Sequence, residues 1–110
     1  MNHTNNLQKI SLCIPRIDAK TPKKYIQGIF HNLNIGTIEE MHEILIHNDS
    51  LHKRIIMSIQ LKMDNPIAQK ICNAFTNNAN IKIVHEFPWY WICVKYINKE
   101  NTANFTGRLI

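Results

Sequence analysis

Apolar positions along the chain switch between a spacing of two and a helical spacing, and each switch marks an element. Residues 10–17, Ile-Ser-Leu-Cys-Ile-Pro-Arg-Ile, alternate and predict a strand, with Leu12 and Ile14 on one face and Cys13 on the other. Thr21-Pro22 predicts a helix start, a hydroxyl cap followed by proline at the first helical position. Tyr25, Ile26, Ile29, Phe30 and Leu33 then recur at helical spacing, with Gly36 as the expected stop. Ile38, Met41, Ile44 and Ile46 fit helix or strand equally. The polar turn His47-Asn48-Asp49-Ser50 and the alternating segment after it decide for a strand over 38–46, since a strand leaving a short turn pairs with what precedes it. In that next strand Ile55, Met57, Ile59 and Leu61 share one face, and Arg54, Ile56, Ser58 and Gln60 the other.

Asn65-Pro66 repeats the cap-and-proline start, and Ile67, Ile71 and Phe75, flanked by Ala68, Cys72 and Ala74, form one apolar stripe. Asn77-Asn78-Ala79-Asn80 ends this helix. A short extended piece at 81–84 leads into Phe87-Pro88-Trp89-Tyr90-Trp91, where Pro88, without a backbone donor, is expected to interrupt pairing with the last strand, 92–97. The predicted order is strand, helix, strand, strand, helix, strand. Each helix has one stripe to bury, so both should cover one face of a four-stranded antiparallel sheet, with strands 1 and 3 central and the order 4-1-3-2. Leu12, Ile14, Ile29, Phe30, Ile55, Met57, Ile59, Ile71 and Phe75 are the expected core. A polar tail over 1–9 and another over 98–110 flank the predicted domain, 10–97.

Composition narrows the classes. The chain has 110 residues, 45% of them hydrophobic and 19% charged, enough for one core without disulfide or metal staples. No apolar run is long enough to span a bilayer and the polar start is no signal peptide, so no membrane partner is expected. Cys13, Cys72 and Cys93 are scattered and odd in number, which predicts reduced thiols and a cytoplasmic setting. With 19 Ile and 14 Asn, and Lys favoured over Arg, the chain carries the bias of an A/T-rich coding sequence. The net charge of +5 is compatible with a polyanionic partner.

The element order of 10–97 resembles the RNA recognition motif, an α+β, ferredoxin-like βαββαβ fold. Leu12-Cys13-Ile14-Pro15-Arg16-Ile17 occupies the place of that family's strand-1 motif, and Lys53-Arg54-Ile55-Ile56-Met57-Ser58-Ile59 that of its strand-3 motif. With Pro-Trp-Tyr-Trp at 88–91, the chain is similar more narrowly to short RRM-like proteins of giant nucleocytoplasmic DNA viruses, which implies the cytoplasm of an infected host cell. The family stacks single-stranded bases on aromatic residues of the two central strands. The matching positions here, Cys13, Arg54 and Ile56, are not aromatic. Arg54 keeps part of that chemistry, because a guanidinium can stack on a base, whereas Cys13 and Ile56 suit apolar contact.

Two readings of the aromatic segment follow. If Lys95 faces solvent on the open side, alternation carries Cys93 and Trp91 there too, and Trp91 becomes a stacking platform beside Arg16, Arg54 and Lys95, which would hold phosphates. Otherwise Trp89, Tyr90 and Trp91 pack over the sheet edge as ordinary core. Trp89 is expected to be structural. The function expected is weak, unselective binding of single-stranded RNA or DNA through Arg16, Arg54, Lys95, Trp91, Cys13 and Ile56. The alternative is a protein-interaction module that docks a peptide or a second copy on the same face. His3, His31, His42, His47, His52 and His85 lack ligand spacing, so neither metal nor cofactor is expected. Glu39, Glu40 and Glu43 read as charged protection of an edge strand, and Lys23-Lys24 as an anion contact or a solvated face. No nucleophile or acid–base pair stands out, so no enzyme is expected.

Overall fold

A computed structural model describes residues 6–97. It contains β1 (Leu7–Asp18), α1 (Lys23–Asn32), β2 (Gly36–Ile46), β3 (Asp49–Lys62), α2 (Pro66–Thr76), β4 (Ile81–Glu86) and β5 (Trp89–Lys95). The predicted tail over 98–110 lies outside the described residues, and most of the predicted tail over 1–9 does too. β1 begins at Leu7, three residues before the alternation becomes obvious.

The two helices and the antiparallel sheet agree with expectation, but the sheet has five strands in the order β2-β3-β1-β5-β4 and not four in the order 4-1-3-2. The piece at 81–84 is a true edge strand, paired with β5 from Ile81↔Cys93 to Glu86↔Trp89. Pro88 does not interrupt this ladder because it occupies the turn at residues 87–88, where no cross-strand donor is needed. The last strand still lies beside β1, and β1 and β3 remain adjacent at the centre.

β3 shows why alternation was legible. Ile55, Met57, Ile59 and Leu61 are buried against Ile26 and Phe30 of α1 and Ala68, Ile71 and Phe75 of α2. Leu12 and Ile14 of β1 join the same core, and Ile29 is half-buried at its margin. Asn65 caps α2, its Oδ1 accepting from the N–H groups of Ile67 at 2.7 Å and Ala68 at 3.2 Å, with Pro66 in the first turn. α1 departs from its expected caps. Pro22 itself is the N-cap and no side chain caps the helix, while the Thr21 carbonyl accepts from Lys53 Nζ at 2.6 Å. Asn34, not Gly36, takes the left-handed turn after the helix, with φ 54°. Gly36 opens β2 with φ 154°, and a Cβ there would lie 2.0 Å from the Gln60 carbonyl oxygen.

β1 and β5 pair over a short stretch, Leu12↔Lys95 and Cys13↔Val94, extended by the Tyr96 N–H donating to the Ser11 carbonyl at 3.0 Å. That bond shows that Ser11 and, by alternation, Cys13 and Pro15 turn their backbone toward β5. Pro15 has no donor to give, and the β1 register against β3 slips between Ile14 and Ile17. The ladder stops there. The two strands part into an apolar cleft of about 470 Å³ lined by Pro15, Arg16, Trp89, Tyr90, Trp91 and Ile92.

Candidate nucleic-acid interface

Both helices pack on one face, which leaves the other open. Paired positions share a face, so strand register assigns its residues in rows. One row is Glu40, Ser58 and Ser11, with Tyr96 of the chain just beyond β5. The next is His42, Ile56, Cys13 and Val94, and beyond it lie Ile44 and Arg54. Alternation along β5 adds Ile92 and Tyr90, and Val84 of β4 faces Tyr90. A shallow depression of about 290 Å³ lies among Ser11, His42, Ile56, Ser58 and Tyr96.

The expected site residues divide. Cys13, Arg54 and Ile56 do share the open face. Arg54 is exposed, Ile56 half-buried and Cys13 almost wholly covered, so thiol chemistry is little accessible. Burial pushes the Cys13 thiol above its ordinary value, opposed by the positive charge of Arg54. Arg16 reaches the end of this face but is tied to Asp49, Nη1 to Oδ2, at 3.0 Å. A hydrogen bond with His52 is the main cause that holds the Asp49 carboxyl below the usual carboxylate range. Burial opposes it, and the His52 charge, the Leu51 N–H and Arg16 add to the lowering.

Trp91 and Lys95 are not on the open face. Leu12, a core residue, pairs with Lys95, so alternation sends Lys95, Cys93 and Trp91 together to the helix side. Trp91 is 6% exposed and Cys93 fully buried, and burial pushes the Cys93 thiol up to about 12. Lys95 stays exposed because it lies at the strand end, beside Cys72, Phe75 and Thr76 of α2. The shared parity of Trp91, Cys93 and Lys95 is as expected, and only the face is reversed. Trp91 instead anchors an aromatic cluster under α1. His85 stacks on it with centroids 4.3 Å apart, and Tyr25 meets it edge-on at 6.0 Å while its hydroxyl lies 3.0 Å from His85 Nδ1. Trp89, expected to be structural, is 67% exposed.

The aromatic residues that do occupy the open face are Tyr90, expected only as packing over the sheet edge, and Tyr96, which lies outside the expected site. The signal was present: Tyr90, Ile92, Val94 and Tyr96 form one alternating set. Lys82 Nζ sits 4.8 Å over the Tyr90 ring, which places a cation directly beside an aromatic face. Glu39, at the β2 irregularity between Ile38 and Glu40, reaches inward over the sheet to Lys9 of β1 at 3.4 Å and accepts from Gln60 Nε2 of β3 at 3.3 Å. Glu43 lies on the helix side, where it pairs with buried Lys53. Among the described residues no group of three His, Cys, Asp or Glu side chains could hold a metal ion, and no helix is long and apolar enough to cross a membrane. No family model, curated protein or solved structure matches the chain.

Proposed function

We propose that the open sheet face binds single-stranded nucleic acid, RNA or DNA, weakly and with little sequence selectivity. The observation that carries this reading is the placement of Tyr90 and Tyr96 on that face with Arg54 exposed on the same surface. The two tyrosines stand at either end of β5, six residues and so about 20 Å apart. Bases stack on the two rings, because every base has a π-face and such stacking tolerates any sequence. Arg54 and Lys82 neutralise phosphates, and the hydroxyls of Ser11 and Ser58 offer hydrogen bonds to sugar or base edges. Trp91 and Lys95 drop out of the site, while Cys13 and Ile56 supply its apolar floor. Arg16 contributes to the extent that its pairing with Asp49 leaves guanidinium N–H groups free. The resemblance of 10–97 to the RNA recognition motif supports the reading, as does the net charge of +5. It assigns no catalytic role to the chain.

One observation favours a second reading. Ile44, Val84 and Ile92 are exposed on this face, an apolar set suited to docking a peptide. Anisotropy titrations with a labelled random single-stranded oligonucleotide at several salt concentrations separate the two. Nucleic-acid binding requires an affinity that falls with salt, and Arg54→Ala should weaken it about tenfold and lower the salt slope by about one. Tyr96→Ala should weaken it by a similar factor at unchanged slope. A parent protein without salt-dependent binding would put peptide docking first.

A further inference from the structure

The four most exposed large apolar side chains among the described residues are Leu45 at 88%, Phe87 at 87%, Leu51 at 73% and Trp89 at 67%. All four belong to one end of the sheet. β1 and β3 pair Asp18 with His52, so the β2–β3 turn lies at the C-terminal end of β1. β5 is antiparallel to β1, and counting from Cys13↔Val94 brings Trp89 and the β4–β5 turn to that same level. From the strand order, the two turns are three strand spacings apart, more than about 14 Å because β1 and β5 part at this end. Each therefore projects a pair of apolar side chains as a separate prong. The segment between them is basic. The Ala19 N–H donates to the Leu51 carbonyl at 2.9 Å, which holds Lys20 beside the first prong, and Lys23 and Lys24 follow at the start of α1. These three lysines are exposed and form no ion pair among the described residues. Of the acids nearby, Asp49 is paired with Arg16 and His52, while Asp18 accepts only the neutral Lys20 N–H, at 2.8 Å, and keeps its charge. Glu86, on the second prong, is exposed.

We infer that this end of the sheet docks on an anionic lipid bilayer, with Leu45, Leu51, Phe87 and Trp89 entering the interfacial region and Lys20, Lys23 and Lys24 meeting the headgroups. A flat protein partner needs a continuous apolar patch with a packed centre, whereas two prongs divided by solvated lysines match a surface that is apolar below and anionic above. Tryptophan suits that boundary because its ring is apolar and its N–H polar, and each lysine near an anionic surface adds attraction that salt screens. The expectation of no membrane partner rested on the lack of a spanning run, which does not bear on contact from one side. The surface is distinct from the Arg54–Tyr96 face and its proposed role stands apart from nucleic-acid binding.

The full chain should float with vesicles of phosphatidylcholine containing about 30% phosphatidylserine at low salt. It should float poorly with pure phosphatidylcholine, and high salt should release it. Trp89 reports insertion directly, since the other tryptophan, Trp91, is already buried: its emission should shift to the blue and be quenched by lipids brominated in the acyl chain. The paired substitutions Leu45→Ser with Leu51→Ser, and Phe87→Ser with Trp89→Ser, should each reduce flotation about tenfold or more while the thermal transition stays close to that of the parent. Exposed tips can change without disturbing the core, so a variant that failed to fold would show in the same melting scan. Lys20→Gln, Lys23→Gln and Lys24→Gln together provide the second measure, a loss confined to anionic vesicles. Absence of flotation with anionic vesicles at low salt overturns the inference, as does flotation that survives both paired substitutions. A concentration-dependent dimer abolished by those substitutions, without vesicle binding, would show that a second copy covers the prongs instead.

Discussion

His85 lies flat against Trp91, their planes within 12° and their centroids 4.3 Å apart, so the edge strand β4 is stapled to β5 by an aromatic pair under α1. The stack sits where the β4–β5 register shifts, between Val84 and Glu86, and holds the six-residue edge strand to its neighbour across that irregularity. It also commits Trp91 to structure. Trp91→Ala should open a cavity and lower the unfolding free energy by about 3–5 kcal/mol in a urea titration. Tyr96→Ala, on the open face, should lower it by much less. Equal losses would mean that Tyr96 is as much a part of the core as Trp91.

Gly36 is required by its backbone. With φ at 154° and the Gln60 carbonyl oxygen 2.0 Å from where a Cβ would stand, Gly36→Ala forces β2 away from β3 at the start of their ladder. The neighbour is backbone and cannot swing aside. Overpacking and strain of this kind cost about 1–3 kcal/mol. The denaturation midpoint should fall accordingly, and Gly28→Ala provides the control, because nothing lies within 4 Å of its added methyl. In that half-buried but uncrowded helical setting the second change should be neutral or slightly stabilising.

These residues show what was legible beforehand and what was not. β3 could be read because its two faces differ sharply in chemistry, and α2 because Asn65-Pro66 states its start. Residues 81–97 were harder. Pro88 signals broken pairing only if it falls inside a ladder, and a proline carries no mark of whether it stands in a strand or in the turn beside it. Periodicity likewise revealed that Trp91, Cys93 and Lys95 share a side without revealing which side. Lys95 pointed to the wrong one, since a lysine at a strand end reaches water past the helix layer as easily as from an open face. The start of α1 differs from its expected cap for a related reason: the Thr21 carbonyl is claimed by Lys53, a contact 32 residues away that no local pattern contains.

Cys93 makes stability depend on alkaline pH. Its thiol is held protonated up to about 12 in the folded chain, mainly by burial and secondarily by Cys13, against an ordinary value of about 8.5. The folded state binds that proton more tightly, so the contribution is complete below the unfolded value and is lost as pH rises toward the folded one. Above about pH 8.5 the parent should lose about 1.4 kcal/mol per pH unit more than Cys93→Ala does. Parallel stability curves for the two proteins would show that Cys93 does not titrate this way. Thiol labelling gives the companion readout: in the native protein Cys72, which is only partly covered, should react ahead of Cys13, and Cys93 only on unfolding.

Lys53 is the one buried charged residue among those described, and its contacts account for its presence. Its Nζ donates to the Thr21 carbonyl and to Glu43 Oε2, which ties the β1–α1 connection to strands β2 and β3 at the margin of the core. The side chain has two separable parts. The methylene stem packs beside the core, where each buried carbon contributes about 0.8 kcal/mol, and the ammonium makes charged hydrogen bonds worth about 1.5–3 kcal/mol. Lys53→Met keeps the stem and removes the head, whereas Lys53→Ala removes both. Lys53→Met should therefore destabilise by about 1–2 kcal/mol and Lys53→Ala by clearly more. Glu43→Gln leaves the ammonium in place with a neutral acceptor in half-exposed surroundings, where solvent screens the lost attraction, so about 1 kcal/mol or less is expected. Chemical denaturation of the three variants checks the order. If Glu43→Gln proved the most damaging, the ion pair and not the Thr21 contact would be what fixes this corner of the fold.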